Sequence, residues 1–255
     1  GATGDIGPIG PQGPQGEPGV TQDLTPLLAR IDALETALAS AETTIAAIEA
    51  NKALLLGPYV TVDTNAINGI AGPNIIFTGA NLHIRSGSGS TMGPLNGRGN
   101  LVVGYGENEM LYARTGSHNL VVGPNHGWTS LGGFIAGYQN RVSRSSASVS
   151  GGAYNLADGS CSAVSGGSLN QALGSQSSIS GGDQNLALGM SSSVSGGFLN
   201  MAVGMQSAVS GGDSNLAFGS TSCVSGGSSN RAEYASSTVS GGFALSTTAN
   251  HQHLP

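Results

Sequence analysis

Charge is scarce in this 255-residue chain: Asp, Glu, Lys and Arg together make 9% of it, against roughly 25% in an ordinary globular domain. Cations are scarcest, with eight Lys and Arg in all and a single Lys. A net charge of −6 without a basic run argues against nucleic acid or an anionic membrane surface as partner. Aromatic residues make 5%, so a layered core of large side chains lacks its material. That charge is also too mild for a disordered polar chain. No apolar run approaches the roughly 20 residues of a membrane span, so no membrane insertion is expected. The chain opens at Gly1 without a leader, which reads as a processed or trimmed product. Motifs of catalysis are missing too. There is no Gly-x-Ser-x-Gly elbow and no His-Glu-x-x-His. The Gly-Gly-Asp runs at 181–183 and 211–213 lack the continuation of calcium-binding rolls. No enzyme, metal or cofactor is expected. The two cysteines, Cys161 and Cys223, stand 62 residues apart.

What the chain has instead is repetition, in three periods. The first is three. Gly1, Gly4, Gly7, Gly10, Gly13, Gly16 and Gly19 recur without error, with Pro8, Pro11, Pro14 and Pro18 between them. This is the collagen pattern, in which only Gly fits at the axis of three wound chains. The second is seven. Leu24, Ile31, Leu38, Ile45 and Lys52 form one series, and Leu27, Leu34, Ala41, Ile48 and Leu55 the other, as a and d positions of a coiled coil. Thr25 reads as the N-cap, Pro26 as the first helical residue and Gly57-Pro58 as the stop. The helix is therefore expected over 26–56. Within it, "RIDALE" places Arg30 at g, Ile31 at a, Leu34 at d and Glu35 at e. It resembles the short Arg-h-x-x-h-Glu trimerisation motif of three-stranded coiled coils (h apolar). Ile at both a and d also leans above two strands.

The third period is fifteen. Val149, Val164, Ile179, Val194, Val209, Val224 and Val239 are each followed by Ser-Gly-Gly. Asn155, Asn170, Asn185, Asn200, Asn215 and Asn230 follow six places on, with Ala two later. Phe134 opens a further copy in the same frame, and "NLVVG" at Asn100 and Asn119 opens two irregular ones. A unit this short suits one turn of a β-coil: short strands, glycine turns and coils stacked at the strand spacing of roughly 4.8 Å. Alternation places Val164, Ile179, Val194 and Val209 inside, with Asn170, Asn185, Asn200 and Asn215 forming a side-chain amide ladder. It turns Leu173, Leu186, Leu188, Met201, Val203, Leu216 and Phe218 outward as an apolar stripe. Monomers seldom leave such a stripe in water, and it is expected to be a trimer seam.

The repeat, Ser-x-Val-x-x-Gly with Asn-x-Ala-x-Gly, resembles the head repeat of trimeric autotransporter adhesins over about 101–246. The resemblance implies a left-handed parallel β-roll three chains wide. It departs in an extra residue at the Gly-Gly and in having no segment like those adhesins' C-terminal membrane barrel. The expected fold is mostly β: a trimeric parallel β-solenoid preceded by a collagen-like triple helix and a three-stranded coiled coil. The organisation reads as a collagen-like segment (1–20), a coiled-coil stalk (21–57), a β-rich neck (58–100), the solenoid head (101–249) and a tail (250–255).

Specific recognition is expected where regularity breaks, in the loop carrying Glu107, Glu109, Tyr112 and Arg114; 86–99 forms a second loop. Four coils apart, Cys161 and Cys223 lie beyond disulfide reach and read as small, partly buried thiols. His251 and His253 read as part of a frayed tail, with a metal role less favoured. Three functions compete. The first is an extracellular or cell-surface homotrimeric fibre, structural or adhesive, whose partner is itself, with end-to-end polymerisation left open. The second is a phage-type fibre that recognises a surface glycan. The third, a polysaccharide-cleaving β-helix, needs clustered carboxylates, and Asp158, Asp183, Asp213 and Glu233 stand apart.

Overall fold

The computed structural model describes residues 1–19, 23–51 and 56–255. The chain divides into two compact units, Gly1–Asn81 and Leu82–Pro255. In the first, residues 1–19 carry no helix or strand and are exposed throughout. A single helix follows, Thr25–Ala50, of 26 residues, about 39 Å at 1.5 Å per residue. Its start differs from the expected one. Leu24 takes the capping position, without a side-chain cap bond. The carboxylate of Asp23 accepts from the Thr25 N–H at 3.0 Å instead; hydrogen bonding from the Thr25 side chain, then from its N–H, holds Asp23 below its usual carboxylate range. The helix ends at Ala50 rather than at 56, with Asn51 extended at its C-cap. Lys52 and Leu55, the last expected a and d residues, lie outside the described residues. An antiparallel hairpin closes this unit, pairing Val60–Asp63 with Asn74–Phe77. The stretch expected as one neck, 58–100, is therefore shared between the two units.

The second unit is a parallel β-solenoid. Its larger sheet stacks 11 strands, from Leu101–Val103 up to His253–Leu254, and its smaller sheet eight, from Gly127–Trp128 to Arg231–Ala232. A third column of single bridges runs from Tyr138 to Phe243. About ten coils result, roughly 50 Å at the spacing of neighbouring strands. Register is held by main-chain bonds between coils. Ala163 N–H donates to Ser177 O at 3.0 Å, and Ser165 N–H to Ile179 O at 2.9 Å.

At two corners of each coil a residue takes a left-handed φ, as at Gln184 (58°) and Gln176 (60°). There the donation reverses: Gln184 N–H bonds back to Ser168 O at 3.0 Å and Gln176 N–H to Ser160 O at 2.8 Å. A non-glycine in this conformation costs roughly 1–2 kcal/mol, offset here by a bond that the opposite φ would aim away from the stack.

The interior is thin and small. Val149, Val164, Ile179, Val194, Val209, Val224 and Val239 are buried to within 1%, and so is every alanine from Ala157 to Ala232 in the facing column. Ser162, Ser177, Ser192, Ser207, Ser222 and Ser237 fill a third buried column. Four of these hydroxyls, on Ser177, Ser192, Ser207 and Ser222, have no partner.

The period changes toward the N-terminal end. Leu120 pairs Phe134, and Phe134 pairs Ser148, each a step of fourteen. Ile135, not Phe134, therefore takes the valine place beside Val149, correcting the frame read from sequence. The shorter coil has one residue fewer between the apolar residue and the Asn, Ile135 to Asn140 against Val149 to Asn155. The inner column tapers away from that end, from Trp128 through Val142 to Ala157. Opposite it the filling runs from Gly133 through Ala147 to Ser162; a Cβ on Gly133 would stand 3.1 Å from Val142 Cγ2. Large faces small at constant thickness, as close packing demands.

The C-terminal residues also differ from expectation. His253–Leu254 pairs with Thr238–Val239, so 250–255 belongs to the last coil and is no frayed tail. Leu245 stands in the Asn place and accepts no ladder role, its N–H donating to Asn230 Oδ1 at 3.0 Å.

Candidate functional site

Two features stand out from the regular stack: an outer apolar face and the loop before the second coil. The face is built by the smaller sheet. Pairing aligns Leu156, Gln171, Leu186, Met201 and Leu216 in one outward column. Two residues further on, Leu173, Leu188, Val203 and Phe218 form the next. Leu188 is 46% exposed, Met201 38% and Phe218 57%, while Leu173, Leu186, Val203 and Leu216 are half-buried by their neighbours. Met190 and Met205 widen the face. A cavity of about 350 Å³ runs beside it, between Leu186 and Met201 on one side and Leu169 and Leu199 on the other. Charge brackets the stripe at both ends. Arg144 meets Asp158 at 3.7 Å below it, and Arg231 meets Glu233 at 2.6 Å above it. An apolar centre with a charged rim is the anatomy of a protein contact.

The loop is held by its own arginine. Arg114 donates through Nε to His126 O at 2.9 Å and through Nη1 to Gly106 O at 2.6 Å, and its Nη2 bonds Glu107 O. Its guanidinium lies 4.8 Å over the Trp128 ring. Burial pulls the Arg114 guanidinium below its ordinary value, against the attraction of Glu107. Asn108 brackets the turn, accepting from Tyr112 N–H and donating to Tyr112 O, both at 2.9 Å. Tyr112 lies under Arg141, 5.2 Å from ring to guanidinium. Of the four residues expected to bind, Arg114 and Tyr112 are thus engaged within the chain. The side chains of Glu107 and Glu109 remain exposed, beside Tyr105 and Leu111.

Sequence reasoning passed over His126 and Trp128. His126 takes the Asn place of its coil, five residues after Val121 as Asn140 is after Ile135. Its Nδ1 accepts from Asn140 N–H at 3.1 Å, so the proton sits on Nε2, which donates to Val122 O at 3.0 Å. Burial pushes this imidazole below its ordinary value, against the pull of its backbone bonds. The fourteen-residue spacing was the available signal.

The Asn column itself works differently from a stack of amides. Asn200 Oδ1 accepts from Asn215 N–H at 3.0 Å, while its Nδ2 donates to Gly196 O at 2.9 Å and Gly212 O at 2.8 Å. Asn170, Asn185 and Asn215 repeat the arrangement. The amide locks the Gly-Gly turn of two coils to the backbone of a third strand; a direct amide contact joins Asn185 to Asn170 at 3.1 Å.

In the helix, Ile31 is 42% exposed, Leu34 61%, Leu38 60%, Ile45 53% and Ile48 50%; Arg30 and Glu35 are exposed too. Both cysteines are free; Cys161 is exposed at a left-handed corner rather than partly buried, and Cys223 is half-buried. Among the described residues no group of three His, Cys, Asp or Glu could hold a metal, and no helix is long and apolar enough to cross a membrane. No family model matches the chain, and no curated protein matches it significantly.

Proposed function

We propose that the chain is one third of a homotrimeric extracellular fibre, with a structural or adhesive role at a cell surface. The observation that carries this is the helix. It runs 26 residues, buries none of them, and places apolar side chains on a strict heptad. An isolated helix in water gains its stability from packing an apolar stripe, and among the described residues nothing in the chain covers this stripe. The Gly-x-y segment before it needs three chains by its own chemistry. The "RIDALE" pairing of Arg30 with Glu35 across neighbouring helices suits the same number, and the outer stripe of the solenoid offers a third surface for self-contact. Sedimentation equilibrium of the full chain tests the reading. Three times the 25.1 kDa chain mass is expected, and Arg30→Ala with Glu35→Ala should loosen the trimer or change its number. A monomeric wild-type protein would sink the proposal. A receptor-binding fibre is the second reading, favoured by the cavity described next.

A further inference from the structure

The first coil is preceded by an irregular segment that folds around a cavity of about 620 Å³. Its walls bring together Arg85, His83 and His118, with Ser86, Ser90 and Thr91. The chain has eight Lys and Arg in all and carries a net charge of −6. Even so, an arginine and two histidines meet here, and no carboxylate lines the cavity. The floor is fixed: Ser86 is 5% exposed and its N–H donates to His118 Nε2 at 3.2 Å. Beyond it the backbone turns through Gly87 and Gly89, at φ of 81° and 83°. Ser88 N–H is taken by Ser86 Oγ and Met92 N–H by Ser90 Oγ. Among the described residues the N–H groups of Gly87, Gly89, Ser90 and Thr91 have no acceptor. Successive free N–H groups in a glycine-bearing turn, beside a guanidinium, form the environment that binds oxyanions. The volume is too large for a bare ion and falls in the range of small organic ligands. The serine and threonine hydroxyls suit a ligand rich in hydroxyls.

We infer that this cavity binds an acidic saccharide, its sulfate or carboxylate oxygens held by Arg85 and the N–H groups of Gly87, Gly89, Ser90 and Thr91. The fibre reading is not required for it. The test is calorimetric titration of the full chain with two anionic sugars, N-acetylglucosamine 6-sulfate and N-acetylneuraminic acid. Each is paired with its uncharged twin, N-acetylglucosamine and the methyl ester of N-acetylneuraminic acid. At least one anion is expected to bind saturably. Its affinity should fall at least about tenfold in the uncharged twin and in Arg85→Gln, as the loss of a charge-assisted bond implies. Which anion binds identifies the sulfate or the carboxylate as the recognised group. Arg85 is exposed and its side chain has no bonding partner among the described residues, so the melting temperature of Arg85→Gln should equal that of the wild type, and His83→Asn supplies a second variant. Absence of binding by both anions overturns the proposal. Equal affinity for the uncharged twins, or in both variants, overturns it as well. Sedimentation of the same samples reports the oligomer separately, so failure here leaves the fibre reading intact.

Discussion

At the scale of single residues, the two glycines of each Ser-Gly-Gly are not equivalent. Gly197 has a φ of 86°, and a Cβ there would stand 2.2 Å from Gly212 O and 2.5 Å from Asn200 Nδ2. Gly196 has open space around it and no left-handed φ. Gly197→Ala should therefore lower stability by about 3 kcal/mol or more, since it combines strain with the loss of a buried amide bond. Gly196→Ala should change it by less than about 1 kcal/mol. Thermal unfolding by circular dichroism separates the two, and equal effects would refute the assigned turn geometry. The Asn beside this turn is equally constrained. It must accept one bond and donate two, which Asp, an acceptor only, cannot do.

The coil is the next scale, and the coils are not alike. The one holding His126 and Trp128 uses larger side chains and a shorter turn. His126 imitates the Asn of later coils: both accept from the next N–H and donate to the carbonyl four residues back, Val122 O for His126 and Ala136 O at 2.7 Å for Asn140. Only the histidine titrates. In the unfolded chain it takes a proton near its ordinary value of about 6.5; in the folded chain burial resists that proton. Stability from this group is therefore complete above about pH 6.5 and is lost as pH falls below it toward the depressed folded value. His126→Asn should flatten that acid limb of the melting temperature. The chain's single tryptophan, 5% exposed, reports on the same coil by fluorescence. An acid limb identical in the variant would remove His126 from the account.

At the scale of the whole molecule, a solenoid is defined by its ends. Residues 250–255 cover the coil before them, with His253–Leu254 laid on Thr238–Val239 and Leu254 packed against the core. Deleting 250–255 should uncover Val239, which is fully buried, and leave a longer unpaired edge. The truncated chain is expected to melt lower and to scatter more light as edges pair. If both measurements match the full chain, the last coil has no capping role.

The 15-residue spacing was enough, without coordinates, to establish a stack of coils, because a period that short allows only one strand-and-turn unit per turn. Alternation within the unit separated Val and Asn from Leu and Met, because successive strand residues face opposite sides. The heptad and the glycine triplet were legible for the same reason, a fixed period with chemically distinct positions. Periodicity could not locate what departs from it. The step from fifteen to fourteen shifted Phe134 out of the valine place, since frame is decided by which backbone groups pair rather than by residue type. Trp128 was invisible as core because only strand pairing places it in the column of Val142 and Ala157. Arg114 was expected in a binding loop, and its side chain clamps that loop to main-chain carbonyls that carry no sequence signature. The cavity around Arg85 likewise joins residues 83–91 to His118. Only folding brings those segments together, so only the tertiary structure could place a cationic pocket in a chain so poor in cations.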